Sequence, residues 1–200
     1  MTKKQIFMNS AFTENSIWRQ VLGICSSLAV TNLLLNSLVM GLGVIFAIGL
    51  ASFSISLIRD YTPRSVRMMA QILIIAAYVI IVDIFLKAYF PAISKSLGPY
   101  VGLIITNCIL MGRAEAFASK NPPLDAFIDG IGSGVGYTVV LLLIAFIREL
   151  MGQGTLFGIQ VLGDWWVNWS IMVMAPSAFF ILAILIWIIN TRFYNTTKKE

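Results

Sequence analysis

The stretch QVLGICSSLAVTNLLLNSLVMGLGVIFAIGLASFSISLI, from Gln20 to Ile58, runs for 39 residues without an Asp, Glu, Lys or Arg. At ~1.5 Å per residue one helix of that length would greatly overshoot a hydrocarbon core of ~30 Å, so the stretch holds two membrane spans. Asn32, Asn36 and Ser37 mark the turn between them, and the first span ends early. Four further apolar stretches follow. Met68–Leu86 has 19 residues broken only by Asp83, Ser96–Gly112 has 17, Gly130–Ile147 has 18 and Trp165–Thr191 has 27. The fold class predicted is therefore an all-α integral membrane protein of six segments.

Composition agrees with the stretches. Of 200 residues, 58% are hydrophobic and 12% charged, about half the charged share of a soluble domain. Mean hydropathy is +0.88. The chain has no His, which excludes His-based acid–base catalysis, His-ligated haem and His-bearing zinc sites. Two cysteines are too few for a disulfide framework or a complete four-thiolate site.

The net charge of +5 would suggest nucleic acid if the basic residues formed a patch. They do not. With the N-terminus and the even-numbered connections on one side, that side holds Lys3, Lys4, Arg19, Arg59, Arg64, Arg67, Arg113, Lys120, Arg192, Lys198 and Lys199. The other holds only Lys87, Lys95 and Arg148. This positive-inside asymmetry predicts cytoplasmic termini, with membrane lipid and not nucleic acid around the chain. Trp165, Trp166 and Trp169 are expected in an aromatic belt at the outer boundary. The first apolar run is read as an uncleaved span, because no small-residue cleavage site follows it cleanly and five more segments do.

The first and fourth segments resemble each other. VLGICSSLAVT (Val21–Thr31) and GLIITNCILMG (Gly102–Gly112) are both short, both mix small and polar residues into an apolar run, and each carries one cysteine, Cys25 or Cys108. Three spans per half is an odd number, so the second half enters the membrane from the opposite side. That is an inverted repeat, whose interrupted helices meet near the midplane. The predicted organisation is one membrane domain, 1–200, with halves of about 15–95 and 96–192. Cys25 and Cys108 can converge in it as ordinary packed cysteines, as a disulfide, or as metal ligands. An iron–sulfur cluster usually takes four thiolates, so as ligands these two would need two more from a partner.

At these residues the chain resembles a known family: the D subunit of the sodium-translocating NADH:quinone reductase and, more distantly, the E subunit of the Rnf complex. IITNCILMGRAEAF (Ile104–Phe117) carries the resemblance most specifically. LGICSSLAVT (Leu22–Thr31), SLIRDYTPRSVR (Ser56–Arg67), PPLDAFIDGIGSGVGY (Pro122–Tyr137) and APSAFF (Ala175–Phe180) extend it from about Val21 to Ile189. Ser26 follows the first cysteine where Rnf homologues tend to have proline, which favours the sodium-pump version. The resemblance implies a bacterial inner-membrane subunit of a six-subunit complex, paired with a homologous E-type subunit of opposite topology. Each of the pair supplies two cysteines to an intramembrane [2Fe-2S] centre, and by motif the two here are Cys25 and Cys108. Flavins and the NADH site belong to other subunits, and electron flow to ubiquinone is coupled to sodium export. The residues alone equally allow a single iron on four thiolates. Rival readings are an Rnf-type ferredoxin:NAD oxidoreductase subunit, a secondary ion transporter, and a structural subunit.

Other polar residues receive plainer readings. Asp83 with Lys87 four residues on is a helical ion pair before it is a cation site. Arg113 and Glu115 are expected as boundary charges on the cytoplasmic loop, and Arg148 with Glu149 as a local pair. Gly130, Gly132, Gly134 and Gly136 do not fit a dinucleotide fingerprint, because positions 135 and 137 are Val135 and Tyr137. They are expected to let helices approach closely. Asn32 and Asn107 are candidates to support the cysteine segments where a helix breaks.

Overall fold

The computed structural model describes residues 3–8, 10, 11, 17, 20–63, 65–156, 159–160 and 170–197. The three tryptophans of the expected aromatic belt, together with Arg19, Arg64, Lys198 and Lys199, lie outside the described residues. Among the described residues the regular structure is helical apart from one antiparallel pair of two-residue strands, β1 (Thr155–Leu156) and β2 (Ile159–Gln160). The helices are α1 (Lys3–Met8), α2 (Ile24–Val30), α3 (Leu34–Ile58), α4 (Arg67–Tyr89), α5 (Pro91–Ile105), α6 (Cys108–Arg113), α7 (Pro123–Gly152), α8 (Ser170–Val173) and α9 (Ala175–Thr197). A π-helical turn, Ala114–Ala118, continues α6.

Among the described residues, four segments are long and apolar enough to cross a membrane: Leu34–Ile58, Arg67–Tyr89, Tyr100–Ala118 and Pro123–Gly152. The third contains the break at Thr106 and Asn107 between α5 and α6. The first expected segment contributes only the seven residues of α2, and the last a shorter apolar stretch, Pro176–Arg192. The uncharged Gln20–Ile58 run thus divides into a short and a long helix. Its turn sits at residues 31–33, so Asn32 lies in it, whereas Asn36 and Ser37 already belong to α3.

Helices α3 and α7 form the core and run antiparallel. The Leu34 N–H at the head of α3 donates to Glu149 near the end of α7, and Ser56 at the tail of α3 donates to Asn121 O just before α7 begins. Between these ends glycines set the separation. A Cβ on Gly130 would lie 3.0 Å from Ile48 O, one on Gly134 3.0 Å from Ile45 Cα, and one on Gly41 would run into the Thr138 side chain. Gly132 faces the other way, 3.1 Å from Phe7 O at its hypothetical Cβ, and Gly136 is also buried. The expectation of close packing through these glycines holds. Around this pair, Ile75 and Val79 of α4, Ile104 of α5 and Ile109 and Leu110 of α6 complete one buried cluster.

The outer surface is apolar in the manner of a lipid-facing one. Leu73 on α4 is 73% exposed and Trp187 on α9 70%, with Met69, Ile80, Ile84, Phe180 and Ile184 also exposed. Water would not tolerate such a belt on a monomer, whereas hydrocarbon does. Asp83 and Lys87 form the expected helical pair at 2.6 Å, with the Lys87 side chain 62% exposed.

Candidate metal centre

Both cysteines stand in the first turn of a short helix. Val21 (φ 54) and Gly23 (φ 80) adopt left-handed backbone immediately before α2, which places Cys25 in the first turn of that helix. Glycine at 23 is required twice over. Its φ is one that side chains disfavour, and a Cβ there would meet Ile109 Cδ1 at 2.7 Å and Tyr137 Cε2 at 3.1 Å. In the other half α5 stops at Ile105, and Asn107 takes an extended conformation. Its Oδ1 accepts from Ile109 N at 3.1 Å, so Asn107 caps the helix that Cys108 begins.

The two breaks meet. Asn107 Nδ2 donates to Ser26 Oγ at 3.4 Å, joining the residue before one cysteine to the residue after the other. Ser26 Oγ donates to Gly23 O at 3.1 Å and is in hydrogen-bond contact with the Tyr137 hydroxyl, which reaches in from α7. Ser27 Oγ donates to the same Gly23 carbonyl at 2.9 Å.

Beyond this junction the thiols face outward. Cys25 and Cys108 are both free and exposed, while Ser26, Ser27, Ile109 and Leu110 beside them are buried. The readings as packed core cysteines or as a disulfide therefore do not describe them. Among the described residues no group of three or more Cys, Asp or Glu converges to hold a metal. The donor set on this chain is two soft, exposed thiols. It suits half of a four-thiolate iron site and cannot close one alone.

The family described as "Rnf-Nqr subunit, membrane protein" matches residues 3–186. The D subunits of the Na(+)-translocating NADH-quinone reductase from Yersinia pestis (strain Pestoides F) and Yersinia pseudotuberculosis serotype O:1b are each 51% identical to this chain. In both the match covers 98% of this chain and 97% of the relative. The D subunit from Yersinia enterocolitica serotype O:8 is 52% identical over the same shares. The chain belongs to the Rnf-Nqr family.

In this Rnf-Nqr member Arg113, expected as a boundary charge, is buried at 3% exposure with its partner Asp129 at 2%, and Arg148 and Glu149 are buried as well. Arg113 Nε donates to Asp129 Oδ2 at 3.0 Å, its Nη2 contacts Asp129 Oδ1 and donates to Ser10 Oγ at 3.0 Å, and its guanidinium lies 5.7 Å from the centre of the Phe117 ring. The Cys108 half-helix is thereby tied to α7 five residues beyond its cysteine. Arg148 and Glu149 are not a local pair either. Arg148 Nη1 donates to Thr31 Oγ1 at 2.5 Å and Leu28 O at 3.4 Å, at the end of the Cys25 half-helix, while Nη2 donates to Val173 O at 2.9 Å. The Glu149 carboxylate accepts the Leu34 N–H at 2.6 Å. Cations at helix C-termini and a carboxylate at an N-terminus complement the helix dipoles. Glu115, expected as a boundary charge, accepts from Gln71 Nε2 at 3.0 Å and pairs with Arg67 at 3.5 Å within the chain.

Of the two candidate supporting asparagines, Asn107 takes part in the junction, whereas Asn32 is exposed in the α2–α3 turn. Sequence reading missed Ser26 and Tyr137 as parts of this site. An isolated polar ring among the glycines of α7 was the available signal for Tyr137.

Proposed function

We propose that this chain is the D-type subunit of a sodium-translocating NADH:quinone reductase, and that it carries electrons through an iron–sulfur centre inside the membrane. Cys25 and Cys108 supply two ligands, and a homologous E-type subunit of opposite topology supplies two more. The carrying observation is the pair of free, outward-facing thiols on two interrupted helices joined through Ser26 and Asn107. A [2Fe-2S] centre, when bound, accepts and releases one electron at a time. The chain's own residues give it a place. Gly23 and Asn107 precede α2 and α6 so that each thiol lies in the first turn of a helix, and the positive dipole end of the helix from Cys108 to Ala118 favours the negative charge of thiolate-bound iron. Arg113 and Arg148 hold the two half-helices to α7.

The same reading makes the chain a single domain of two inverted halves, about 15–95 and 96–192. Each half opens with an interrupted cysteine helix (α2, or α5 with α6) and continues into a long glycine-bearing core helix (α3 or α7). Each closes with a helix rich in exposed apolar residues (α4 or α9). The excess of Lys and Arg on one side sets both termini in the cytoplasm of a bacterial cell whose inner membrane the chain crosses. Flavins and NADH belong to other subunits, and electron passage to ubiquinone is coupled to sodium export. The relatives' names favour this pump over the Rnf-type alternative.

In the purified complex, Cys108→Ala should keep NADH oxidation with a soluble artificial acceptor and lose quinone reduction. Undiminished quinone reduction would remove the electron-carrying role and favour an ion transporter or a scaffold.

A further inference from the structure

A serine hydroxyl offers one proton and two acceptor positions. Ser26 Oγ has three partners: Gly23 O at 3.1 Å, Asn107 Nδ2, which donates to it at 3.4 Å, and the Tyr137 hydroxyl. In the Ser26–Tyr137 bond either hydroxyl can donate. Asn107 is likewise engaged on both ends of its amide, through Ile109 N and Ser26. Tyr137 comes from α7, outside both half-helices, and is 0% exposed. Its ring fills the space that glycine leaves at position 23.

We infer that Tyr137 is a positioning residue for the metal centre: its hydroxyl, hydrogen-bonded to Ser26, fixes the Cys25 turn against the Cys108 turn so that both thiols are presented together. The inference rests on the reading of Cys25 and Cys108 as ligands. Tyr137→Phe is the cleanest probe, since it keeps the buried ring and removes only the hydroxyl. Ser26→Ala removes the other partner in the same bond.

The purified complex is measured as wild type, as each single variant, as the double variant and as Cys108→Ala. Iron content, the electron paramagnetic resonance spectrum of the reduced centre and its midpoint potential are recorded. Tyr137→Phe should retain iron with a changed spectrum and a shifted potential. Ser26→Ala should shift the potential the same way, and the double variant no further than the larger single, because the two groups act through one bond. A wild-type spectrum and potential in Tyr137→Phe, or shifts that add, would overturn the inference. So would failure of Tyr137→Phe to assemble, since the hydroxyl would then serve the fold as a whole. If Cys108→Ala keeps its iron, the ligand reading itself fails. If it loses iron while Tyr137→Phe is silent, only the role of Tyr137 fails.

Discussion

Asp129 is the reason Arg113 can sit at 3% exposure in the interior of an apolar bundle. The guanidinium engages both carboxylate oxygens, and Ser10 adds a third contact. A buried pair of this kind adds little over a well-packed apolar replacement, but removing one partner strands the other, at a cost of about 3–5 kcal/mol. Asp129→Ala should therefore lower the thermal stability of the purified complex sharply, while Arg113→Met combined with Asp129→Leu recovers much of the loss. Thermal unfolding of wild type and both variants checks this, and a double variant no better than the single would argue against the pair as the cause. None of this burial was legible in the sequence, because Arg113 and Asp129 meet only after α6 folds onto α7. Arg148 and Glu149 did carry a signal. Consecutive helical residues point about 100° apart, so two adjacent charges must serve different neighbours.

At the scale of elements, the α3–α7 pair shows which glycines matter. Gly134→Val would drive a side chain into Ile45, whose Cα lies 3.0 Å from the Cβ position, and backbone there has no room to yield. The expected loss is about 1–3 kcal/mol or more, since overpacking at a helix contact separates the helices. Gly43→Ala meets Val82 Cγ1 at 3.4 Å and Ile104 Cδ1 at 3.7 Å, ordinary contact distances. It should be neutral or stabilising, because alanine outranks glycine in a helix by about 1 kcal/mol. The yield and melting temperature of each variant complex separate the two cases. Helix spans and glycine packing were readable because uncharged length and small-residue spacing are local properties of the chain. The shortness of the first and fourth segments was readable too, from the small and polar residues mixed into them. The break between α8 and α9 was not, since hydropathy does not say where a backbone breaks.

On the scale of the whole molecule, one helix organises both cysteine segments. Asp129 holds the Cys108 half-helix, Tyr137 reaches the junction, and Arg148 holds the end of the Cys25 half-helix, all from α7. Both thiols are exposed, and this chain supplies no third or fourth ligand to them among its described residues. The cysteine pair itself was legible in the sequence as two matching short segments, but their shared polar junction depended on Tyr137, which lies 112 residues from Cys25 in the chain. The most direct test of the shared centre is iron and acid-labile sulfide per complex, purified with its partners, in wild type, Cys25→Ala and Cys108→Ala. Either substitution should leave an assembled complex that has lost one iron–sulfur centre's worth of both elements. An assembled variant with the wild-type amount of iron and sulfide would contradict the account and leave the two cysteines without a metal to hold.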